Sequence, residues 1–225
     1  MKKIAIIVAG GNGNRMNAGI PKQFMLLGGL PVLMHTITCF HKADPQIELL
    51  VVLSDKEIYT WKELCNRYSF SVAHQIVPGG ETRFHSVKNG LAYVTEKSIV
   101  AIHDGARPFA SESLIKKCFS EAEKFGNAIP AIPVNESLRK INGDESEVAD
   151  RSSYVIIQTP QCFSSEIIKT AYNVDYNNSF TDDASVAEVS GVSIHLIAGE
   201  SENIKITYPI DLSIGESILK SRKRL

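Results

Sequence analysis

Short, almost purely apolar runs alternate along the chain with longer segments whose apolar residues recur at helical spacing. Runs of this kind are typical of strands that are buried on both faces of a sheet. The clearest are Lys3–Ala9, Glu48–Leu53 and Ser98–His103, and helical periodicity lies between them over residues 32–40 and 84–94. This strand–helix order predicts an α/β fold with a mostly parallel sheet and helices on both faces.

Helix caps and a further apolar run mark additional elements. Thr82, Ser111 and Thr181 each stand where a side-chain oxygen can cap a following helix. Thr181 is expected to begin the helix Asp182–Ser190, and Val72–Val77 reads as a short strand. These elements continue the strand–helix pattern from residue 72 to residue 190.

The first predicted strand runs directly into a glycine-rich loop. The loop is Gly10–Met16, and Pro21-Lys22-Gln23 follows it. Glycines expose backbone amides to anions, and Arg15 and Lys22 add two positive charges. The spacing fits neither the dinucleotide fingerprint, which needs a small residue where Met16 stands, nor the ATPase phosphate loop. The glycines alone would suit a plain tight turn, but the two cations favour a polyphosphate ligand.

Polar residues also follow the other predicted strands, where ligands bind in open α/β sheets. Asp104 is suited to Mg²⁺, which takes one or two carboxylates and fills its shell with phosphate and water. Pairing with Arg107 is the structural alternative. Gly79–Ser86 offers backbone and hydroxyl groups that suit a nucleobase, or an ordinary helix cap. Lys205 alternates with two isoleucines, so its side chain faces either a polar cleft or solvent.

The strand–helix rhythm breaks between residues 135 and 157. Leu138–Ile141 and Tyr154–Ile157, with Asn142-Gly143 and a polar run between them, predict a β-hairpin. An isolated two-stranded ribbon is weakly stable. We therefore expect this arm to pack on a second subunit, giving a homodimer with exchanged arms. A mobile surface flap is the alternative.

Composition excludes several classes of protein. A formal net charge of −1 over 225 residues provides no basic field for nucleic acid. No apolar stretch reaches the roughly 18 residues that span a bilayer. The four cysteines lack metal-ligand spacing and are expected to be reduced thiols. The chain is therefore expected to be a cytoplasmic protein without nucleic-acid or membrane partners. Its length suits one domain over residues 1–225, which the strand–helix order makes Rossmann-like.

Seven ordered motifs carry a resemblance to a known family. They are Ala9–Met16, Pro21–Phe24, Gly79–Val87, His103–Pro108, Gln158–Gln161, Thr181–Ser185 and Asn203–Thr207. Their order and spacing resemble the 2-C-methyl-D-erythritol 4-phosphate cytidylyltransferases of non-mevalonate isoprenoid biosynthesis. Ribitol 5-phosphate cytidylyltransferases share most of these motifs. The resemblance implies CTP and a sugar-alcohol phosphate as substrates and Mg²⁺ as cofactor.

The resemblance also implies roles for individual residues. Arg15 and Lys22 would stabilise the pentacoordinate α-phosphate, and Asp104 would bind Mg²⁺. Lys205 would position the sugar phosphate, together with Arg151 from the partner subunit's arm. The remaining substrate contacts would fall on Ala9, Gly10, Gly11, Asn12, Gly13, Gly80, Glu81, Ser86, Arg107, Ser137 and Thr181. Glu81 and Ser137 stand where the family often has aspartate and threonine.

Three hypotheses about function follow. The first is transfer of CMP from CTP to methylerythritol phosphate with release of pyrophosphate. The second is the same reaction with ribitol 5-phosphate or another polyol phosphate. The third is a regulator that binds the nucleotide without catalysis. The chemistry needs positioning and charge stabilisation rather than a general base, because the attacking phosphate is already anionic.

Overall fold

The computed structural model describes residues 1–10 and 20–222. Its strands are β1 (Lys2–Val8), β2 (Leu26–Leu27), β3 (Leu30–Pro31), β4 (Glu48–Leu53), β5 (Gln75–Pro78), β6 (Ser98–Asp104), β7 (Asn127–Pro133), β8 (Leu138–Asn142), β9 (Glu145–Ala149), β10 (Val155–Ile157), β11 (Gln161–Ser164) and β12 (Leu196–Ala198). Its helices are α1 (Val32–Ala43), α2 (Asp55–Arg67), α3 (Arg83–Ala92), α4 (Glu112–Phe125), α5 (Ser165–Ala171), α6 (Asp183–Val189) and α7 (Pro209–Arg222).

A mostly parallel sheet organises the chain, as the sequence predicts. Its order is β10-β7-β11-β6-β1-β4-β5, and β12 pairs with β7. β1 runs parallel to both β4 and β6, and β4 runs parallel to β5. β11 is antiparallel to β6 and β7. The carboxyl ends of four parallel strands therefore meet along one edge of the sheet.

Both faces of the sheet are buried, which explains the apolar runs. Ala5 and Ile7 of β1 belong to one core cluster, and Ile4 and Ile6 belong to a second cluster on the opposite face. All four side chains are 1% exposed or less. Because successive strand residues point to opposite faces, this alternation requires packed layers on both sides.

The predicted caps hold at two of three helices. The Thr82 and Ser111 side chains accept hydrogen bonds from backbone amides in the first turns of α3 and α4. The prediction for Thr181 is wrong by one residue, since Asp182 caps α6. Asp182 and Ser185 form a reciprocal capping box, and a carboxylate at the cap also suits the helix dipole.

The predicted hairpin has a different second strand. β8 pairs with β9, joined by a tight turn in which Gly143 has φ of 62°. The polar run is thus the returning strand. The prediction that Val155–Ile157 belongs to the hairpin is wrong. This segment forms β10, which pairs antiparallel with β7 in the main sheet. Glu145–Ala149 shows no apolar alternation in the sequence, because neither face of this strand is buried.

Smaller elements also differ from the predictions. The strand expected at residues 72–77 forms over Gln75–Pro78, and β11 and α5 had no sequence prediction. All four cysteines are free thiols, as expected. In the part of the chain that the structure describes, no helix combines the length and apolarity that a membrane crossing requires.

Candidate active site

A cavity of about 590 Å³ opens at the carboxyl ends of β1, β4, β5 and β6. Backbone hydrogen bonds align these strand ends, because the amides of Ala9, Gly79 and Gly105 donate to carbonyls of the neighbouring strands at 2.7–2.9 Å. The cavity wall combines exposed backbone with charged side chains. Its lining includes Ala9, Gly10, Lys22, Gly79, Gly80, Glu81, Arg83, Ser86, Asp104 and Lys205.

The backbone wall depends on small residues around Ser86. The Gly80 amide donates to the Ser86 hydroxyl at 3.1 Å. A side chain at Gly80 would collide with His85, and one at Gly79 would lie 3.2 Å from both Ser86 Oγ and the Leu53 carbonyl. Only glycine fits such close packing, so the loop leaves its backbone open to the cavity.

Asp104 is the carboxylate on the cavity floor. Its Oδ2 lies 2.9 Å from Lys205 Nζ and 3.4 Å from Arg107 Nε, and its Oδ1 lies 3.5 Å from Arg83 Nε. Burial alone would raise the pKa of Asp104, but these three cations hold it well below its ordinary value. The carboxylate is therefore ionised at neutral pH.

A buried hydrogen-bond chain fixes the backbone at Asp104. The Asp104 amide donates to Thr159 Oγ1 at 3.1 Å, and Thr159 Oγ1 lies 3.0 Å from His103 Nδ1. His103 Nε2 lies 3.0 Å from the Arg107 carbonyl, which can only accept, so we assign the proton to Nε2. Complete burial lowers the pKa of His103 to about 4, so its ring is neutral. His103 thus has a structural role, because its neutral ring supports the backbone at the end of β6.

The Arg83 guanidinium is held by Asp183, a fully buried acid on the side away from the cavity. Its Nη1 and Nη2 donate to the two oxygens of Asp183 at 3.0 and 2.6 Å. The Tyr172 hydroxyl donates to Asp183 Oδ1 at 2.7 Å. Arg83 therefore connects Asp183 to Asp104, two carboxylates on different elements.

A second cavity of about 270 Å³ shares a wall with the first. Arg83, Asp104 and Lys205 line both cavities. The second cavity adds Arg107 and Thr181, two of the residues predicted to contact substrate. The charged cluster at Asp104 thus stands where two compartments meet.

The short turn that carries Lys22 is hydrogen-bonded to the backbone at the end of β1. Lys22–Phe24 forms one 3₁₀ turn, and Gln23 is buried. Gln23 Nε2 donates to the Ala9 carbonyl at 2.6 Å and to Glu57 Oε2 at 3.0 Å. Burial raises the pKa of Glu57, although the bond from Gln23 opposes this. Gln23 thereby fixes Lys22 beside the end of β1.

The predicted site residues fall into three groups. Ala9, Gly10, Lys22, Gly80, Glu81, Ser86, Arg107, Asp104, Thr181 and Lys205 line one or both cavities. Gly11, Asn12, Gly13 and Arg15 lie outside the described residues. Ser137 is exposed on the loop before β8, and Arg151 lines a separate groove about 500 Å³ in volume. This single chain does not bring Ser137 or Arg151 to the two cavities.

Comparison with known proteins decides the family. A sequence profile of the family described as 2-C-methyl-D-erythritol 4-phosphate cytidylyltransferase matches residues 3–221. The chain belongs to this family.

Relatives of this cytidylyltransferase family match over nearly the whole chain. A protein of that name from Bacteroides thetaiotaomicron is 48% identical over 219 residues, which are 97% of this chain and 100% of the relative. One from Porphyromonas gingivalis is 49% identical over 223 residues, 98% of this chain and 99% of the relative.

Solved structures agree with this assignment. A 4-diphosphocytidyl-2C-methyl-D-erythritol synthase from Anaerococcus prevotii superposes with a TM-score of 0.82 at 28% identity, over 97% of this chain and 96% of the other. The Thermus thermophilus cytidylyltransferase gives a TM-score of 0.76 at 26% identity, over 98% and 100% of the two chains. The resemblance inferred from the seven motifs is confirmed.

Sequence reasoning missed the buried residues that hydrogen-bond to the motif side chains and hold them in position. The Thr181–Ser185 motif predicts a substrate contact only at Thr181, whereas Asp183 in the same motif holds Arg83. Sequence reasoning likewise missed Tyr172 and Glu57. The Asp-Asp pair at a helix start was the available signal, and only the fold shows which carboxylate turns inward.

Proposed function

We propose that the chain transfers CMP from CTP to 2-C-methyl-D-erythritol 4-phosphate and releases pyrophosphate. The observation that carries the proposal is the meeting of two cavities at Arg83, Asp104 and Lys205. Transfer between two phosphates needs one compartment for the nucleotide and one for the acceptor, with cations where they meet. The relatives that carry this enzyme name are 48–49% identical to the chain over nearly its whole length, which supports these substrates.

The larger cavity suits CTP. The backbone at Gly10 and Gly80 and the hydroxyl of Ser86 can bond the polar edge of a pyrimidine, and Glu81 stands beside them. Lys22 lies in the same cavity, at the end of β1, and would carry charge for the α-phosphate. Arg15 would add to it from the glycine loop.

The smaller cavity suits the acceptor. Arg107 and Lys205 offer positive charge for its phosphate, and Thr181 offers a hydroxyl. The acceptor phosphate oxygen would attack the α-phosphorus, and pyrophosphate would leave with the bonding electrons. No side chain needs to remove a proton, so the site works through positioning and preorganised positive charge.

Asp104 fits the divalent cation, which we expect to be Mg²⁺. Its carboxylate is ionised and reaches the cavity where the triphosphate would lie. Within residues 1–10 and 20–222, no three His, Cys, Asp or Glu side chains converge to hold a metal by themselves. A Mg²⁺ that takes its other ligands from phosphate and water matches this donor set. The bound ion would neutralise phosphate charge.

A homodimer with exchanged arms would complete the acceptor site. The groove at Arg151 is mostly apolar and is lined by Pro133, Tyr154 and Leu196. Tyr154, Val155 and Ile156 beside it are 46–51% exposed. An apolar surface of this kind fits a second copy of the chain. Arg151 would then reach the partner's acceptor cavity. We place the enzyme in the cytoplasm, in keeping with its free thiols.

The decisive experiment compares acceptors. Purified protein is incubated with CTP, Mg²⁺ and either methylerythritol phosphate or ribitol 5-phosphate, and pyrophosphate release is measured. We expect a kcat/KM at least about a hundredfold higher for methylerythritol phosphate, since unmatched polar groups reject the wrong acceptor. Lys22→Ala protein is the control for contaminating activity.

Two outcomes would overturn this proposal. Faster turnover of ribitol 5-phosphate would assign the chain to polyol-phosphate activation. CTP binding without pyrophosphate release from either acceptor would indicate a nucleotide-binding regulator.

A further inference from the structure

The acid that holds Arg83 is unusual because it is completely buried. Asp183 is 0% exposed at the first residue of α6. Its two oxygens accept hydrogen bonds from both outer nitrogens of the Arg83 guanidinium and from the Tyr172 hydroxyl. Neither Asp183 nor Tyr172 lines the two cavities. The proposed reaction gives these two residues no direct role.

Stability alone does not require this arrangement. The Arg83 side chain is 30% exposed, but the Asp183 carboxylate is fully buried and loses its hydration. Well-packed apolar residues often stabilise a fold as well as such a desolvated ion pair does. A bidentate Arg–carboxylate pair does something that apolar packing cannot, because it fixes the plane of the guanidinium. The pair in this chain therefore suits a role in orientation.

Both ends of the Arg83 side chain are constrained. Its backbone begins α3, directly after the Thr82 cap. The next residue, Phe84, stacks on Tyr172 with ring centroids 4.7 Å apart and an interplanar angle of 19°. Burial and the adjacent Asp183 raise the pKa of Tyr172 well above its ordinary value, so its hydroxyl remains a donor. Arg83 thus has little freedom to turn.

The constrained guanidinium treats the two oxygens of Asp104 differently. Oδ1 faces only the fixed Arg83, at 3.5 Å, among the charged contacts of the described residues, whereas Oδ2 faces Lys205 at 2.9 Å and Arg107 at 3.4 Å. The Lys205 side chain is 39% exposed and borders both cavities, so it can leave for a substrate phosphate. Arg83, held by Asp183, would then still lie 3.5 Å from Oδ1, on the side of the carboxylate away from Lys205 and Arg107.

We infer that Asp183 is a positioning residue, which orients Asp104 by locking Arg83 at the junction of the two cavities. The inference rests on the proposed function for what Asp104 then does. Outer partners of metal ligands typically change affinity or activity by about 10- to 100-fold when removed. Asp183 acts one residue further out, through Arg83.

The test uses Asp183→Asn, which keeps the shape of the side chain, removes its charge and leaves residue 83 unmutated. We expect kcat to fall by about 10- to 100-fold. The increase in CTP affinity on adding Mg²⁺, measured by calorimetry, should shrink by about tenfold on the same scale. CTP affinity without Mg²⁺ should change less than twofold. Arg83→Lys, which keeps the charge but loses the fork, should give the same pattern, and the double variant should add little.

A stability control separates positioning from folding. Arg83→Met/Asp183→Leu replaces the pair by apolar side chains and should melt near the wild type while remaining defective in Mg²⁺-dependent CTP binding. Lys3→Met/Asp44→Leu removes a part-buried pair at the opposite end of the sheet, 2.9 Å apart, and should leave turnover unchanged.

Three results would overturn the inference. Wild-type kcat and Mg²⁺ dependence in Asp183→Asn would do so, as would full activity of the apolar pair. Wild-type protein that binds no CTP would remove both this inference and the proposed function. Wild-type protein that binds CTP with Mg²⁺ but turns over neither acceptor would remove only the proposed function, because calorimetry still tests Asp183.

Discussion

Polar residues are buried and hydrogen-bonded at the end of β6, whereas those of the β8–β9 hairpin are exposed to solvent. At the end of β6, His103 and Asp104 are nearly inaccessible, and their polar atoms are bonded to residues from distant parts of the chain. In the hairpin, nearly every residue is exposed. Its contacts run across the ribbon, as between Arg139 and Ser146.

The difference explains where this chain can do chemistry. A buried, bonded polar group keeps one orientation, and charges act strongly there because water is excluded. A solvated ribbon fixes little by itself, and Ile141 and Val148 are 68% and 79% exposed on it. The sheet can thus fix the charged cluster at Asp104 by itself, whereas the hairpin gains a fixed conformation only when another surface packs on it.

Loss of the central charge should have the largest effect. Asp104→Asn preserves volume but leaves Arg83, Arg107 and Lys205 without their shared anion. We expect turnover to fall by about a thousandfold, the upper range for removing one preorganised electrostatic group. Pyrophosphate release measures this, with Asp44→Asn as the control carboxylate. Activity within tenfold of wild type at ordinary Mg²⁺ would show that the metal is held elsewhere.

Arg151, which lies just after the β8–β9 hairpin, is expected to act across subunits. Arg151→Ala and Lys22→Ala should each be nearly inactive alone. Mixed and exchanged, they should recover about a quarter of wild-type activity, because half the dimers are mixed and each has one intact site. Mass spectrometry of differently labelled subunits verifies the exchange. Verified exchange without recovery would show that Arg151 does not complete its partner's site.

The buried side of the comparison also predicts a pH effect. The pKa of His103 is lowered to about 4, so the unfolded chain binds the proton more readily. Its contribution to stability is therefore complete above about pH 6.5 and is lost as the pH falls toward 4. The loss should reach about 2 kcal/mol between pH 7 and pH 5. Asp104 also has a lowered pKa, but its contribution is lost only near and below its unfolded pKa of about 3.9.

Urea unfolding at the two pH values measures the effect. His103→Gln keeps an amide donor and acceptor but removes the titration, so its stability should depend less on pH. His41→Gln on α1, outside both cavities, is the matched control substitution. Equal slopes in His103→Gln and wild type would contradict the assignment of a neutral buried ring.

The same contrast explains what the sequence could predict. The unbroken apolar run in Lys3–Ala9 predicts a strand buried on both faces, and the motif spacing indicates the family. The returning strand Glu145–Ala149 escaped prediction because it has no buried face to leave a period-2 pattern. Asp183 escaped for another reason. Its neighbour Asp182 has the same chemistry, and only tertiary packing distinguishes the helix cap from the arginine partner.

The smallest effect is expected on the hairpin. Lys140 lies opposite Glu147 in the register, with Nζ and Oε1 3.3 Å apart and both side chains at least 60% exposed. An exposed cross-strand pair of this kind contributes about 0.5 kcal/mol or less, because water screens the charges and two long side chains lose rotamer freedom. Lys140→Ala should therefore leave the urea midpoint almost unchanged. Lys3→Ala, which breaks the less exposed pair with Asp44, should cost more. A loss above about 1 kcal/mol for Lys140→Ala would exceed an exposed pair. It would show that the ribbon is ordered by a surface beyond its own two strands.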